Sequence, residues 1–164
     1  GYPNDPAAGV GILLSERATS KYMSHGSPCK RICWVRLKGP VTNIFVISAY
    51  IPHRARTQPA QRDTLEMLSK LLKEVPKQDC IVLLGDFNEQ LGFHEGLTGN
   101  QAQTPASQNA GNILDIMRMF DLFAINTRFR PRKGKSVSTY LACTEKGDEK
   151  TLVGRTVTAS YNIS

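Results

Sequence analysis

The run Cys80-Ile81-Val82-Leu83-Leu84-Gly85-Asp86-Phe87-Asn88 ends an apolar stretch with a carboxylate and a carboxamide. A buried strand that terminates in this way delivers oxygen ligands just beyond its apolar end. If the extended geometry continues, alternate positions share a face, so Asp86 and Asn88 are expected to converge. A hard divalent cation such as Mg2+ takes oxygen ligands of this kind, and a neutral carboxamide beside a carboxylate can orient a water or a phosphate without adding negative charge. Gly, Asp and Asn are equally at home in an ordinary turn at a strand end. The segment by itself leaves both readings open.

Cations gather on either side of this segment. His53, Arg54 and Arg56 follow Tyr50, and Arg128, Phe129, Arg130, Arg132, Lys133 and Lys135 precede Thr139 and Tyr140. Clustered cations with an aromatic can grip phosphates and stack on bases, although a solvated basic loop is the commoner fate of such a run. The formal net charge is +7, from 21 Lys and Arg against 14 Asp and Glu. Such a field favours polyanions and tilts the reading toward nucleic acid. Cys29, Cys33, Cys80 and Cys143 are too sparse for a disulfide scaffold, which points to a reducing compartment. A zinc site at Cys29, Cys33 and His25 lacks a second ligand pair, so the expectation is two thiols at a strand entrance. No apolar run approaches the roughly 20 residues of a membrane helix. Gly1-Tyr2-Pro3-Asn4-Asp5-Pro6 fits neither a secretory signal nor a transit peptide, and without an initiator Met the natural N-terminus is expected to lie upstream.

The elements that would position these groups are readable from periodicity. Gly9-Val10-Gly11-Ile12-Leu13-Leu14 reads as a short buried strand. Residues 31–38 and 43–50 read as two strands joined across Gly39-Pro40, which should pair as a hairpin. Leu65, Leu68, Leu71, Leu72 and Val75 recur at three- and four-residue steps, so 59–75 should be an amphipathic helix, with Thr57 as a cap, Pro59 in the first turn and Pro76 as the stop. The continuous apolar run 80–84 suits a strand covered on both faces, near the centre of a sheet. Residues 85–111 form an unusually long connection, a frequent place for function. Ile113, Ile116, Met117 and Phe120 mark a second helix with Asn112 as its N-cap, and 122–126 a further strand. The chain is expected to form one domain, 1–164, in which 142–164 is the least legible part.

Taken together, Ser48-Ala49-Tyr50-Ile51-Pro52 and Gly85-Asp86-Phe87-Asn88, in that order and separated by a helix, resemble the endonuclease/exonuclease/phosphatase superfamily. Asn109, Gly111 and Leu114, then Asn126-Thr127 and Phe129, then Ser138-Thr139-Tyr140, look like the second half of the endonuclease of non-LTR, LINE-like retrotransposons and their craniofacial-development-type relatives. The resemblance covers residues 8–141. It implies an α/β fold, a fragment of a four-layer sandwich with two mixed β-sheets face to face and flanking helices. It implies that Asp86 is the active-site carboxylate and metal ligand, with Mg2+ or Mn2+ as cofactor, that Asn88 holds the phosphate, and that Tyr50 contacts the scissile phosphate. Asn109 would be a polar neighbour of the site. Arg54, Arg56, Arg130, Arg132, Lys133 and Thr139 would bind the DNA partner, and the family's setting implies the nucleus.

The resemblance has gaps. The family's early metal-binding Glu has no match, since Glu16 lies after the Gly-rich strand. The late Asp-Tyr strand and the terminal Ser-Asp-His motif are likewise unmatched, with His25, His53 and His94 in other settings and Asp148 in a polar stretch. The chain is therefore expected to bind metal weakly, to cleave slowly or not at all, and to be marginally stable alone. Two other functions compete with DNA nicking: a non-catalytic nucleic-acid-binding remnant, and a small-molecule or lipid phosphatase of the same superfamily.

Overall fold

Alternation of apolar and polar residues across Gly39-Pro40 produces the hairpin at the heart of the sheet. Strand β2 (Ile32–Leu37) pairs antiparallel with β3 (Ile44–Tyr50), from Ile32 opposite Ala49 to Leu37 opposite Ile44. The computed structural model describes residues 9–52, 58–102, 105–108, 110–129 and 159–161. After β3 the chain crosses through helix α2 (Gln58–Glu74) and returns as β4 (Cys80–Asp86), parallel to β3. A parallel neighbour requires such a crossover, because a tight turn can only reverse the chain. The sheet is mixed and six-stranded, with β1 (Tyr22–Cys29) at one edge and β5 (Leu122–Ala124) at the other, in the order β1-β2-β3-β4-β6-β5. Between β4 and β5 lies β6 (Ala159–Tyr161), antiparallel to both.

The core follows from these periods. Ile32, Phe45, Ile47, Ala49, Ile81 and Leu83 alternate on one sheet face and meet Leu65, Leu68, Leu71, Leu72 and Val75 of α2 in one cluster. Helix α3 (Ala110–Met119) adds Ile113, Leu114, Ile116 and Met117. Burying each large side chain of this kind contributes about 1.5–3 kcal/mol, which is why α2 keeps Arg62, Glu66, Lys70 and Lys73 on its exposed side. One charge is buried deliberately: the Asp79 side chain, fully enclosed ahead of β4, is gripped in fork geometry by Arg36 of β2 at 2.6 and 3.0 Å. That hydrogen bond is the chief cause that raises the Arg36 guanidinium above its ordinary pKa. The pair fixes the start of β4 against β2.

The expectations for β2, β3, α2 and β4 match these elements, and the architecture is α/β. Among the described residues there is one sheet; no second sheet faces it. Other expectations need correction. Gly9–Leu14 is not a strand, and Leu13 is 99% exposed. None of the six strands offers the run a partner, and the chain turns instead into a short helix α1 (Glu16–Thr19), whose N-cap Ser15 accepts from the Ala18 amide. Helix α3 begins at Ala110, two residues before Asn112, because Ala110 is itself buried; Asn112 sits in the first turn and is not the cap. Strand β5 stops at Ala124 and tightens into a 3-10 turn, Ile125–Thr127. Residues 159–161, in the tail that carried no legible pattern, complete the sheet. The expected cap Thr57 lies outside the described residues.

Candidate active site

Strands β3 and β4 run parallel and end together, so Tyr50 and Asp86 are register partners at the carboxyl edge of the sheet. In open α/β sheets this edge is where ligands are bound, because the loops that leave it diverge. Gly85 makes the close approach possible. Its φ is +146°, and a Cβ built there would lie 1.8 Å from the Ala49 carbonyl oxygen. One residue further on, the Ile51 amide donates to the Asp86 carbonyl at 2.8 Å, and the Tyr50 amide donates to the Arg31 carbonyl at 2.9 Å. Backbone bonds therefore hold the carrier of Asp86 and the carrier of Tyr50 from both sides.

The strand alternation expected to set Asp86 and Asn88 on one face does not continue, and Asn88 meets the Asp86 carboxylate through its backbone amide. Asn88 has a φ of 50°, so the extended geometry ends at Phe87, whose buried ring anchors the turn. The Asn88 amide donates to Asp86 Oδ1 at 3.0 Å, and Asn88 Nδ2 donates to the Ile51 carbonyl at 2.9 Å. Asn tolerates the left-handed conformation better than most residues, and here its side chain also bridges the two strand exits. The result is an exposed carboxylate whose orientation is set by a backbone donor, next to a carboxamide whose plane is fixed.

Three residues that drew no attention in the sequence complete the support. Glu89 accepts from Gln61 Nε2 of α2 at 3.2 Å and from the Ser107 hydroxyl. The Ser107 amide in turn donates to the Gln90 carbonyl at 2.8 Å, and the Gln90 amide donates to Ser107 Oγ at 3.1 Å. This network ties the turn after Asn88 to the helix and to the later part of the long loop. Its members are separated by 18 and 28 residues, so no local pattern announces it.

Of the sequence-derived site residues, the structure brings together Tyr50, Asp86 and Asn88. Arg54, Arg56, Asn109, Arg130, Arg132, Lys133 and Thr139 lie outside the described residues. Arg128 and Phe129 of the second basic cluster are described and exposed, with the Arg128 guanidinium 5.7 Å from the Phe123 ring centroid. Among the described residues no group of three or more His, Cys, Asp or Glu side chains is placed to hold a metal ion, at Cys29 and Cys33 or elsewhere. An exposed Asp86 carboxylate still fits the way Mg2+ is usually held, by one or two carboxylates with the remaining positions filled by phosphate and water. A groove of about 750 Å3 lies elsewhere, between α2 and α3, lined by Arg62, Glu66, Lys73, Asp115 and Met119.

No protein-family model matches the chain. Craniofacial development protein 2 of Bos taurus is 25% identical over 124 residues, which is 74% of this chain and 21% of that protein. The same protein of Tragulus javanicus is 24% identical over 124 residues, 74% of this chain and 22% of its own length. The similarity accompanies the Tyr50-Ile51-Pro52 and Gly85-Asp86-Phe87-Asn88 motifs, held at one sheet edge, whose order resembles that of the endonuclease/exonuclease/phosphatase superfamily. It spans about a fifth of the length of the curated relatives it matches. Among solved structures, TDP2 of D. rerio, crystallised with a single strand DNA product, overlaps 53% of this chain and 49% of its own at 12% identity and a TM-score of 0.38. The beta toxin of Staphylococcus aureus overlaps 56% of this chain and 29% of its own at 15% identity and a TM-score of 0.33. No helix of the described residues is long and apolar enough to cross a membrane.

Proposed function

We propose that this chain carries the central part of a metal-dependent phosphodiester hydrolase that nicks DNA, with Asp86, Asn88 and Tyr50 at the reacting phosphate. The observation that supports it most is the knot at the carboxyl edge, where Tyr50 and Asp86 are register partners and Asn88 locks both exits. Phosphodiester hydrolysis needs a base for the attacking water and compensation for the charge that grows on the phosphate oxygens. Asp86, exposed and oriented, holds and deprotonates the water. Asn88 adds no negative charge beside the phosphate, and the Tyr50 hydroxyl is a donor for a phosphate oxygen. A divalent cation bound at Asp86, Mg2+ or Mn2+, supplies charge neutralisation and a lowered pKa for the water. With no cluster of three or more metal-ligating side chains among the described residues, its binding is weak and turnover by this chain slow.

DNA is preferred to a small phosphate ester because of the net charge of +7 and the exposed Arg128 and Phe129 beside β5. The nucleus is the corresponding place of action. The test is relaxation of supercoiled plasmid by the purified chain in Mg2+ and in EDTA, beside Asp86→Ala. The expected result is slow nicking that needs the metal and is lost in the variant. Nicking that persists in EDTA or in Asp86→Ala would sink the reading. Metal-independent binding without cleavage by a folded sample would favour the non-catalytic alternative.

A further inference from the structure

The loop that leaves Asn88 does more than connect. Leu91, Leu97 and Thr98 are buried and anchor it, while Phe93 between them is 52% exposed. That exposure is built by the residues on either side. Thr98 Oγ1 donates to the Gly92 carbonyl at 3.0 Å and accepts from the His94 amide at 2.7 Å, so one buried hydroxyl clamps both neighbours of Phe93 and turns the ring outward. Gly92, with a φ of +69°, packs on Ala106, and a Cβ there would lie 2.9 Å from the Ala106 methyl.

The same loop is stitched to the segment that carries Arg128 and Phe129. Thr98 bridges Ala124, the Ala124 amide donates to the Leu97 carbonyl at 2.8 Å, and the Gly99 amide donates to Thr127 Oγ1 at 2.6 Å. The two backbones are in contact at Gly99, where an added Cβ would sit 2.5 Å from the Thr127 carbonyl oxygen and 2.6 Å from Arg128 Cα. Two residues later Phe129 is 65% exposed. Arg128 is itself held against the Phe123 ring.

Two exposed phenyl rings are thus carried by two hydrogen-bonded segments that meet around Thr98 and Gly99, and the exposed Arg128 precedes one of them in the chain. A phenyl ring has no hydrogen-bonding group and offers only its face and its apolar area. Nucleobases present a complementary face only when they are not stacked on one another, and a cation alongside meets the phosphates between them. We propose that Phe93 and Phe129, with Arg128, form a stacking platform for unpaired bases, so that the substrate is engaged through a single-stranded stretch. This deepens the nuclease reading, on which it rests, by naming the class of DNA. Duplex ends, gaps and flaps supply such stretches; a closed, fully stacked duplex does not.

The test uses the full chain and fluorescence anisotropy with labelled oligo(dT) and a duplex of equal length, for wild type, F93A/F129A, F93L/F129L and Asp86→Asn, each checked for unchanged melting. Wild type is expected to prefer oligo(dT). F93A/F129A should weaken oligo(dT) binding by about tenfold or more, on the scale of base–aromatic stacking, and leave duplex binding and the salt dependence unchanged. F93L/F129L should behave like the alanine variant, because area without a π-face does not stack. The proposal is overturned if F93A/F129A binds oligo(dT) as wild type does, if wild type does not prefer it to duplex, or if the leucine variant restores binding. The last outcome would mark an apolar contact for a protein or a lipid surface. Asp86→Asn separates the two readings: it should bind oligo(dT) normally and fail to nick. Nicking by Asp86→Asn with stacking intact would remove Asp86 from the catalytic role and leave the platform.

Discussion

Asn88 reaches from the exit of β4 to the exit of β3, where its Nδ2 donates to the Ile51 carbonyl at 2.9 Å. Its backbone is in the left-handed region with φ 50°, and its amide caps Asp86 Oδ1. Asn88→Ala is expected to lose about 1 kcal/mol to backbone strain and about 1 kcal/mol to the missing bond. Asn88→Gly should recover the first contribution and not the second. Asn88→Asp cannot donate to Ile51 and adds charge beside the phosphate, so it should combine a stability loss with the lowest activity of the three. Urea unfolding midpoints read the stabilities, and an Asn88→Ala protein as stable as wild type would show that the bridge is dispensable.

Gly85 is the closest approach of β3 and β4. Any Cβ there collides with the Ala49 carbonyl oxygen at 1.8 Å, and that oxygen is backbone that cannot swing away. Gly85→Ala should therefore cost roughly 4 kcal/mol or more, at the severe end for point substitutions, and is expected to abolish recovery of soluble folded protein. A well-folded Gly85→Ala variant with native circular dichroism would contradict the close approach of β4 to β3 at Gly85 and Ala49.

The Arg36–Asp79 pair lets stabilities be ranked without being summed. Asp79 is enclosed and receives both donors of the guanidinium fork, whereas Arg36 keeps some contact with solvent. Arg36→Met strands a buried carboxylate and should be the least stable variant. Adding Asp79→Asn to it should raise the unfolding midpoint again. If the double substitution falls below Arg36→Met, the carboxylate has a second support.

Burial raises the pKa of the Cys33 thiol above its ordinary value. The unfolded chain then ionises at lower pH than the folded one. Stability is full below the ordinary thiol pKa and falls as pH rises through it toward the folded value. Urea midpoints followed into the alkaline range should drop for wild type and drop less for Cys33→Ala. At neutral pH, iodoacetamide should label Cys33 more slowly than an unstructured thiol peptide, since the thiolate is the nucleophile. Fast labelling of the folded protein would show Cys33 to be less enclosed.

The sequence by itself determined the elements whose period is local. Leucines at helical spacing between Pro59 and Pro76 make α2, alternation on both sides of Gly39-Pro40 makes the hairpin, and the run before Gly85 makes a central strand. It also marked Asp86 and Asn88, because they lie at the end of a legible strand, while Tyr50 was marked by the resemblance of its motif to a known superfamily. Tertiary structure decided what depends on partners distant in the chain. Tyr22–Cys29 has no apolar alternation and is a strand through its pairing with β2, while the apolar Gly9–Leu14 run finds no such partner and is not one. Residues 159–161 are a strand because β4 and β5 leave a place between them. The turn at Asn88, the Glu89 contacts to Gln61 and Ser107, and the outward ring of Phe93 all arise from hydrogen bonds between separate segments. Short-range chemistry sets periods and breaks, and those are written in neighbouring residues. Pairing, burial and the convergence of side chains are settled only when distant segments compete for the same space and the same donors.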